Sequence, residues 1–496
     1  MKLVSGMKFF VLMGLFLSLT VGFINAQSVT VDCATEYQVI RGFGGMNMPS
    51  WIADLTTDQV NLAFGNNTGQ LGLTILRVKV PTDAAQFYKE YPAAATARSL
   101  GALVFATPWS PPASMKSNSS IVGGTIKATS YSDYTAHLLS FATYMKNNKA
   151  ALYAVSLQNE PDYSVTYESC NWKINQMIDF LKTQGSKFDT LKVIAPESFC
   201  FNRTRTDSIL NNTDAALQMD IVGGHIYGGG LSDYALARQK AKEVWMTEHF
   251  TESLNTGNTW PLALDVASEL HNCMAANFNA YIWWYIRRSY GLIDESGVVT
   301  KRGYLMAQFA KFARPGYMRV ASTITPAANV FTTAYKSDSS VVIVVLNKGT
   351  NASTIHFTLK NKDLNILTRY TTSETKNVYN EGTVSFSGEM FSATVDAQST
   401  STFVLKKSIN NGLNDVLIPK LSIYPNPANK SITLTLEDQP ISVSKGSIYN
   451  QMGVVVCTFS FNSHQYDVDI SNLPANVYQI KILMNNRTYI RKFIKK

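Results

Sequence analysis

The segment at residues 152–161, LYAVSLQNEP, shows the unit from which most of this chain is built. A short run of apolar, β-prone residues leads into polar side chains, which here include Glu160. Runs of the same kind stand at residues 41–45, 73–76, 102–105, 191–194, 220–222, 244–246 and 280–283. Helical patterns, such as those at residues 134–146 and 263–274, separate most of them. Eight strand–helix units over roughly 250 residues predict an α/β fold, a closed (β/α)8 TIM barrel at residues 41–317.

The segments that flank this barrel have a different composition and a different pattern of apolar residues. Residues 318–407 are rich in Thr, Ser and Val, and residues 27–40 alternate apolar with polar positions, which is typical of half-buried strands. We therefore expect residues 27–40 and 318–407 to form one side β-sandwich domain. The polar residues 408–418 predict a linker, and residues 419–496 predict a small C-terminal β-sandwich domain.

Residues 1–26 are typical of a secretory signal peptide. Lys2 and Lys8 come before an apolar run at residues 9–23. The small residue Ala26 marks the expected cleavage position. The alternative is a membrane anchor, but the run is shorter than the ~20 residues that a spanning helix needs. The sequence therefore predicts an exported, soluble protein.

Composition and charge exclude several classes of protein. With 45% hydrophobic and 16% charged residues among 496, the chain is neither disordered nor a coiled coil. Its net charge of +9 would suit an anionic partner, yet residues 1–26 hold two of the lysines. Residues 420–496 hold nine Lys and Arg against four Asp and Glu, which leaves +2 for the remainder. We therefore expect no nucleic acid partner.

Five cysteines are too few for a disulfide-built scaffold, although export permits disulfides. Cys170 and Cys200 each follow a strand-like run by a loop-length distance, and we predict that they pair. Buried free thiols are the alternative. No cysteine or histidine cluster has metal-ligand spacing, so neither a metal nor another cofactor is expected.

Two glutamates stand at the ends of the fourth and seventh strands, where barrel enzymes carry their chemistry. Glu160 follows the run at residues 152–155, and Glu248 follows the run at residues 244–246. Taken singly, each could be a helix N-cap or a solvent-exposed residue. Together they predict glycosidic bond cleavage, because that reaction needs an acid and a second carboxylate on opposite sides of the sugar.

Arg77 interrupts an apolar strand, where a guanidinium needs a carboxylate partner. Pairing with Glu248 would hold that carboxylate ionised as a nucleophile. Glu160 would instead be kept protonated by burial and by the neighbouring negative charge. A structural ion pair between Arg77 and an aspartate is the alternative. His225 is either a ligand of the site or a satisfied core histidine.

Aromatic side chains follow many of the strand ends, and their flat faces complement the C–H faces of sugar rings. The candidates for stacking are Trp51, Trp109, Tyr163, Tyr167, Trp172, Tyr227, Trp284, Tyr285 and Tyr290. Trp245 and Trp283 are expected in the core instead.

Five segments together resemble the bacterial glucuronoxylanases of glycoside hydrolase family 30. They are RGFGGMN (41–47), LQNEPD (157–162), VIAPES (193–198), WMTE (245–248) and WWYIRRSYG (283–291). The resemblance spans residues 29–407 and implies a retaining endo-β-1,4-xylanase with Glu160 as acid/base and Glu248 as nucleophile. It also implies that Asn159 bonds the sugar 2-hydroxyl.

The same resemblance implies that an arginine after the last strand reads a glucuronic acid branch on xylan. Arg288 takes this place, with Ser253 and Tyr290 nearby, and a guanidinium can bind a carboxylate through two parallel hydrogen bonds. Phe250 stands where these enzymes usually carry a tyrosine, which predicts a relaxed dependence on the branch. Tyr163, where some relatives have tryptophan, would alter stacking near the scissile bond.

The C-terminal residues resemble the type IX secretion sorting domain of Bacteroidota. The segments LSIYPNPA (421–428), SITLTL (431–436) and VYQIKI (477–482) carry this resemblance, with Asn476 in place of the usual glycine. It implies export through the type IX machinery, followed by release or attachment to the cell surface. A carbohydrate-binding β-module is the alternative, although few aromatic residues are available there to stack on sugars.

The leading hypothesis is therefore a secreted, monomeric endo-xylanase that acts on glucuronoxylan. One alternative keeps the barrel and the mechanism but acts on unsubstituted xylan or another β-glycan without the uronic acid branch. Another is a surface glycan-binding protein whose catalytic machinery is idle. Retention of both glutamates, Asn159 and Arg77 argues against the latter.

Overall fold

The computed structural model describes residues 27–251, 255–386, 388–407, 421–436, 444–451, 453–484 and 487–496. The chain divides into two compact units, Met1–Ser408 and Ile409–Lys496. The predicted signal peptide, residues 1–26, and the predicted linker, residues 408–418, lie outside the described residues. None of the helices within those residues has both the length and the apolar character needed to cross a membrane.

The first unit contains the predicted TIM barrel, which confirms the fold class. After β1 (Gln27–Val39), its parallel strands are β2 (Gly42–Met46), β3 (Ile75–Val80), β4 (Leu103–Pro108), β5 (Ala154–Ser156), β6 (Lys192–Ser198), β7 (Ile221–His225), β8 (Glu243–His249) and β9 (Ala280–Tyr285). They pair in sequence order, and β9 pairs with β2 to close the barrel.

Helices follow the strands and cover the outside of the barrel. They are α1 (Thr57–Phe64), α2 (Tyr91–Ser99), α3 (Tyr131–Asn147), α4 (Ile174–Gln184), α5 (Arg203–Leu210), α6 (Thr213–Leu217), α7 (Ala235–Gln239), α8 (Leu264–Ala275) and α9 (Lys301–Ala310). Short 3-10 turns occupy Ala84–Lys89, Ala113–Met115, Ala128–Ser130 and Gly185–Phe188.

The barrel interior is filled because successive side chains on a strand point to opposite faces. On β8, Trp245 points inward, where its ring lies 5.8 Å from Phe105 and stacks on Tyr153. Its neighbours Val244 and Met246 belong to the outer core that the helices cover. Trp245 and Trp283 are both fully buried, as expected.

A nine-stranded sheet adjoins the barrel within the first unit. Its strands after β9 are β10 (Met318–Ser322), β11 (Val330–Lys336), β12 (Ser340–Asn347), β13 (Ser353–Lys360), β14 (Ile366–Thr372), β15 (Tyr379–Ser385), β16 (Met390–Val395) and β17 (Ser399–Lys406). The order is β15-β14-β17-β12-β11-β10-β1-β13-β16. Strand β1 lies between β10 and β13, so residues from both flanks of the barrel share one sheet.

The second unit is a small β domain, as predicted. Its strands are β18 (Leu421–Tyr424), β19 (Ser431–Leu436), β20 (Ser444–Tyr449), β21 (Val455–Phe461), β22 (Gln465–Asp469), β23 (Asn476–Met484) and β24 (Arg487–Lys495). They form a three-stranded sheet, β18-β19-β22, and a four-stranded sheet, β21-β20-β23-β24. Ile432, Ile448, Ile480 and Phe493 are buried in a core of its own.

Candidate active site

Both predicted glutamates lie in one cleft at the carboxyl end of the barrel strands. Glu248 is near the end of β8, and Glu160 follows β5 with a φ of 44°, in the left-handed region that non-glycine residues seldom adopt. The cleft has a volume of about 420 Å³, within the range of ligand pockets. Its lining residues are Trp51, Trp109, Asn159, Glu160, Tyr167, Phe199, Tyr227, Glu248, Phe250, Trp284 and Tyr285.

Arg77 joins the polar groups beneath this cleft. Its fully buried guanidinium forms an ion pair with Glu248, the partner that the sequence analysis favoured over an aspartate. The Nη2 atom also donates to Asn159 Oδ1 at 2.8 Å and to Glu197 Oε1 at 2.9 Å. Two carboxylates thus face one cation, which is the compensation that a buried guanidinium requires.

Glu197 is the member of this cluster that the sequence analysis did not single out. It is the fifth residue of the motif at residues 193–198, is fully buried and has a φ of 57°. Burial opposes its ionisation, but Arg77 and the nearby imidazole of His225 outweigh burial, so the pKa of Glu197 lies below its usual value. The rule that found Glu160, a carboxylate just after a strand run, points to Glu197 as well.

His225 links the second catalytic candidate to the same cluster. Its Nδ1 lies 2.8 Å from Glu160 Oε1, and its Nε2 lies 3.5 Å from Glu197 Oε1. Burial works against the imidazolium, but Glu248, the hydrogen bond to Glu160 and the nearby carboxylate of Glu197 raise the pKa of His225 to about 9. The histidine is thus both buried, like a core histidine, and part of the site. The two interpretations that its sequence position allowed are therefore both correct.

Glu160 has a raised pKa, and burial is the main cause. His225 lowers it and the charge of Glu248 raises it further. Because the pKa values of both Glu160 and His225 are raised, the hydrogen-bonded pair retains at least one proton at neutral pH. The raised pKa of Glu160 favours its protonated form, which is the form that a proton donor needs, and Glu248 lies opposite it.

Both oxygens of Glu248 are held in place. Arg77 binds Oε2, and the hydroxyl of Tyr227 donates to Oε1 at 2.9 Å. One carboxylate oxygen of Glu248 and one of Glu160 lie within 4.8 Å of each other. Oxygens this close fit the ~5–5.5 Å between the carboxyl groups of retaining sites better than the ~6.5–9.5 Å of inverting sites.

Glu160, His225 and Glu248 also place three ligand-type atoms within this 4.8 Å distance of one another. A cation there would face the guanidinium of Arg77, which already binds Glu248. The charge of Arg77 therefore makes the arrangement a poor match for a metal ion.

Most predicted stacking residues line the cleft, in two groups. Trp51, Trp109, Trp284 and Tyr285 form a chain of rings whose centroids are 4.4–5.9 Å apart, and Tyr167 contacts Trp51. The second group consists of Tyr163, Phe199 and Tyr227. The ring centroids of Tyr163 and Phe199 are 3.9 Å apart, and those of Phe199 and Tyr227 are 5.3 Å apart. Phe199 was not among the predicted residues.

Trp172 is different, because it packs inside the core. Its ring is buried against Tyr134 and Phe180, both on helices outside the barrel strands. The expectation that Trp172 contacts sugar is therefore wrong, because its indole is buried against helices α3 and α4.

The candidates for uronate binding are at the rim. The guanidinium of Arg288 lies 5.7 Å from the ring centre of Tyr285, and Nη1 donates to Glu295 Oε1 at 3.1 Å. Tyr290 is hydrogen-bonded to Arg288 and stacks on Phe250 at 5.0 Å. Ser253 lies outside the described residues.

The predicted disulfide between Cys170 and Cys200 is not formed, since all five cysteines are free thiols. Cys170 is buried beside Lys116, Ile126 and Trp172, and burial raises the pKa of its thiol to about 12. Cys200 belongs to a different loop, where its carbonyl group lies against Gly230. The alternative of free thiols is thus the one that the structure shows.

A TIM barrel with two facing glutamates in an aromatic-lined cleft defines the class of glycoside hydrolases that cut through paired carboxylates. Comparison with known proteins agrees. Glucuronoxylanase XynC of Bacillus subtilis strain 168 is 44% identical over 395 residues, which cover 77% of this chain and 93% of that protein. The chain therefore belongs to glycoside hydrolase family 30.

Solved structures give the same result. The subfamily 8 xylanase Xyn30A from Clostridium acetobutylicum is similar with a TM-score of 0.71 and 38% identity, over 77% of this chain and all of the other. A family 30 endoxylanase from Clostridium papyrosolvens C71 has a TM-score of 0.70 and 36% identity, over 76% of this chain and all of the other. Residues 422–496 match the family described as the secretion system C-terminal sorting domain.

Proposed function

We propose that this chain is a secreted, retaining endo-β-1,4-xylanase that hydrolyses glucuronoxylan and binds its glucuronic acid branch. The observation that carries the proposal is the pair Glu160 and Glu248, whose carboxylate oxygens come within 4.8 Å of each other. The family membership supports it, because similar proteins from Bacillus and Clostridium are named glucuronoxylanase and xylanase.

The reaction would proceed by double displacement. Glu248 attacks the anomeric carbon, and the bond to the leaving oxygen breaks as Glu160 donates its proton to that oxygen. The product is a sugar chain with a free hydroxyl and a glycosyl ester of Glu248. Glu160, now ionised, takes a proton from water as the water oxygen attacks the anomeric carbon, which releases Glu248 and restores the proton on Glu160.

The surrounding residues supply orientation and charge. Arg77 and Tyr227 fix both oxygens of Glu248, so the attacking lone pair needs little reorganisation. Asn159 accepts from Arg77 through Oδ1, which leaves its amide hydrogens available to donate to the sugar 2-hydroxyl. The aromatic residues of the cleft offer faces for the xylose rings on either side of the scissile bond.

Arg288 is our candidate for the uronate. Its guanidinium lies at the rim beside Tyr285 and Tyr290, and the hydrogen bond to Glu295 is partly exposed, so an incoming carboxylate can replace it. Phe250 lacks a hydroxyl that could also donate to the uronate. For both reasons, we propose that the branch is preferred rather than strictly required.

Product analysis tests this proposal directly. Glucuronoxylan is digested to completion, and the products are identified by mass spectrometry. We expect acidic oligosaccharides that each carry one uronate at a fixed distance from the reducing end. A ladder of neutral oligosaccharides would instead indicate a xylanase that ignores the branch, and sugar binding without any product would indicate an idle catalytic site.

The second unit has a separate proposed role in export. Because residues 422–496 match a sorting domain, we propose that the type IX machinery carries the protein across the outer membrane, after a signal peptide has directed it across the inner one. Deletion of residues 421–496 should leave xylanase activity in cell extracts and remove it from the medium and the cell surface. Unchanged export would contradict this role.

A further inference from the structure

A second cavity, which shares no residue with the catalytic cleft, lies between the barrel and the nine-stranded sheet of the first unit. Its volume is about 470 Å³, similar to that of the cleft. Residues 66, 68–70 and 311–312 line one side of it, and residues 370 and 377–380 line the other. A cavity of this size fits the range in which proteins hold small ligands or short polymer segments.

The topology places this cavity away from the reacting atoms. Helices α1 and α9 begin beyond the carboxyl ends of β2 and β9 and run back along the barrel, so the residues just after them lie at its amino end. The catalytic glutamates are at the opposite end. A polymer bound here would therefore keep the enzyme attached to it without taking part in the reaction.

The cavity wall is aromatic, and its hydroxyl groups are unused. Phe312 and Tyr370 have ring centroids 4.5 Å apart, and Tyr304 and Tyr379 complete the set. Tyr379 is 58% exposed. Within the described part of the chain, the hydroxyls of Tyr304, Tyr370 and Tyr379 make no hydrogen bond, so they can donate to and accept from a ligand.

The cavity offers no free charge among its described lining residues. Lys311 is the charged side chain there, and its Nζ donates to the carbonyl oxygens of Asn66, Asn67 and Gln70 at 2.9–3.1 Å. These bonds use all three of its hydrogens. Asn380 accepts from the backbone of Gly382 through Oδ1, which leaves its amide hydrogens as donors.

We propose that this cavity is a second glycan-binding site, which takes an uncharged stretch of the xylan main chain. Flat aromatic faces with neutral donors and acceptors suit a pyranose ring, which has apolar C–H faces and a rim of hydroxyls. The absence of a free cation in the described wall distinguishes it from the rim at Arg288, where a uronate would bind. The class of sugar rests on the proposed function, whereas the existence of the site does not.

The experiment compares an insoluble polymer with a short soluble substrate. The full-length protein carries Tyr379→Ala together with Tyr370→Ala, and the control carries Tyr37→Ala, a tyrosine that is 44% exposed and lines neither cavity. Rates are measured on insoluble xylan and on a soluble xylo-oligosaccharide. We expect the ratio of the two rates to fall at least five-fold in the double variant and to stay unchanged in the control.

Two further measurements keep the test decisive. Tyr370→Phe removes only a hydroxyl, and thermal unfolding of each variant shows whether the fold is intact. In the Glu248→Gln background, depletion from solution by insoluble xylan free of uronic acid should weaken in the double variant and depend little on salt, because this polymer carries no charge. An unchanged ratio, or binding that 0.5 M salt abolishes, would overturn the proposal.

The proposed function can fail separately. If the wild type cleaves neither substrate, the xylanase assignment is wrong, and depletion by insoluble β-glycans such as cellulose and β-glucan then tests the cavity alone. Binding that Tyr379→Ala weakens would support a glycan site of another specificity, and an absence of binding to every polymer would overturn it.

Discussion

Two layers of the same barrel interior differ sharply in chemistry. The lower layer contains Ile75, Phe105 and Trp245, all fully buried among apolar side chains. Two residues further along the same strands stand Arg77, Thr107 and Thr247, which are equally buried but polar. Because inward positions recur every second residue, one step along a strand changes an ordinary hydrophobic core into a charged network.

This difference shows how the fold carries both stability and chemistry. The lower layer fills space, and its contribution is the burial of apolar area. The upper layer is held by Arg77, whose bonds to Glu197 and Glu248 compensate the cost of removing these charges from water. A substitution should therefore have different consequences in the two layers.

The largest effect should follow removal of a catalytic carboxyl group. Glu160→Gln should lower kcat on xylan by about 10²–10⁴-fold, because the leaving oxygen is no longer protonated. An aryl β-xyloside with an acidic phenol leaves without that proton, so its glycosylation rate should fall much less. Glu248→Gln should abolish turnover of both substrates, since no glycosyl ester can form. Substantial xylan hydrolysis by either variant would contradict the assigned roles.

Substitution of Arg77 tests the comparison of layers itself. Arg77→Met leaves Glu197 and Glu248 buried without their cation, so the free energy of unfolding should fall by about 3–5 kcal/mol and kcat should drop steeply. Ile75→Val, two residues earlier on β3, should cost about 0.5–1.5 kcal/mol and leave kcat unchanged. Chemical denaturation and xylan assays measure both quantities. Equal effects on kcat would show that the layers are not separate.

His225 should affect the pH dependence of both activity and stability. Because His225 lowers the pKa of Glu160, His225→Asn should raise that pKa and shift the basic limb of the kcat/KM profile to higher pH. The pKa of His225 is about 9 in the folded protein and about 6.5 when unfolded, so its contribution to stability is complete below pH 6.5.

That contribution is then lost as the pH rises toward 9. Wild-type stability should decline over this interval, and the decline should be smaller in the asparagine variant. Thermal unfolding at several pH values measures it. An unmoved basic limb in His225→Asn would mean that the histidine does not influence the acid/base residue.

The smallest expected effect is at the exposed rim. Glu295→Gln removes the carboxylate that binds Arg288, and such exposed pairs are worth about 0.2–1 kcal/mol. The KM for glucuronoxylan should therefore fall by about five-fold at most, with no change on xylan free of uronic acid. Arg288→Ala is the matched control, and it should raise the KM for glucuronoxylan only. An equal change of KM on both substrates would show that Arg288 does not bind the branch.

The barrel and its catalytic pair could be predicted because strand periodicity and strand ends are local features of the sequence. Arg77 could be matched to Glu248 since an unpaired guanidinium inside an apolar strand is unstable. Which further groups meet there depends on the stagger between strands, and no local pattern encodes it. Glu160 and Glu197 both have positive φ angles, which turn their side chains toward His225 and which sequence propensity does not favour.

The wrong predictions for Trp172 and Cys170 also arise because local sequence does not determine where a loop runs. Trp172 follows the strand end of β5 and was expected to stack on sugar, and Cys170 in the same loop was expected to pair with Cys200. The loop that carries them folds back over the helices instead, so both are buried. Distance along the chain from a strand end thus predicts position well for a few residues, and the prediction weakens as the loop lengthens.

The pairing of β1 has a consequence for how the chain reaches its native state. Gln27 is opposite Ile355 and Val31 is opposite Leu359, so the first strand finds its parallel neighbour only after nearly the whole first unit has been made. Such long-range pairing slows folding, because a large loop must close before the contact stabilises anything. Until residues 353–360 have been synthesised, β1 therefore lacks the strand that satisfies the backbone groups of this edge.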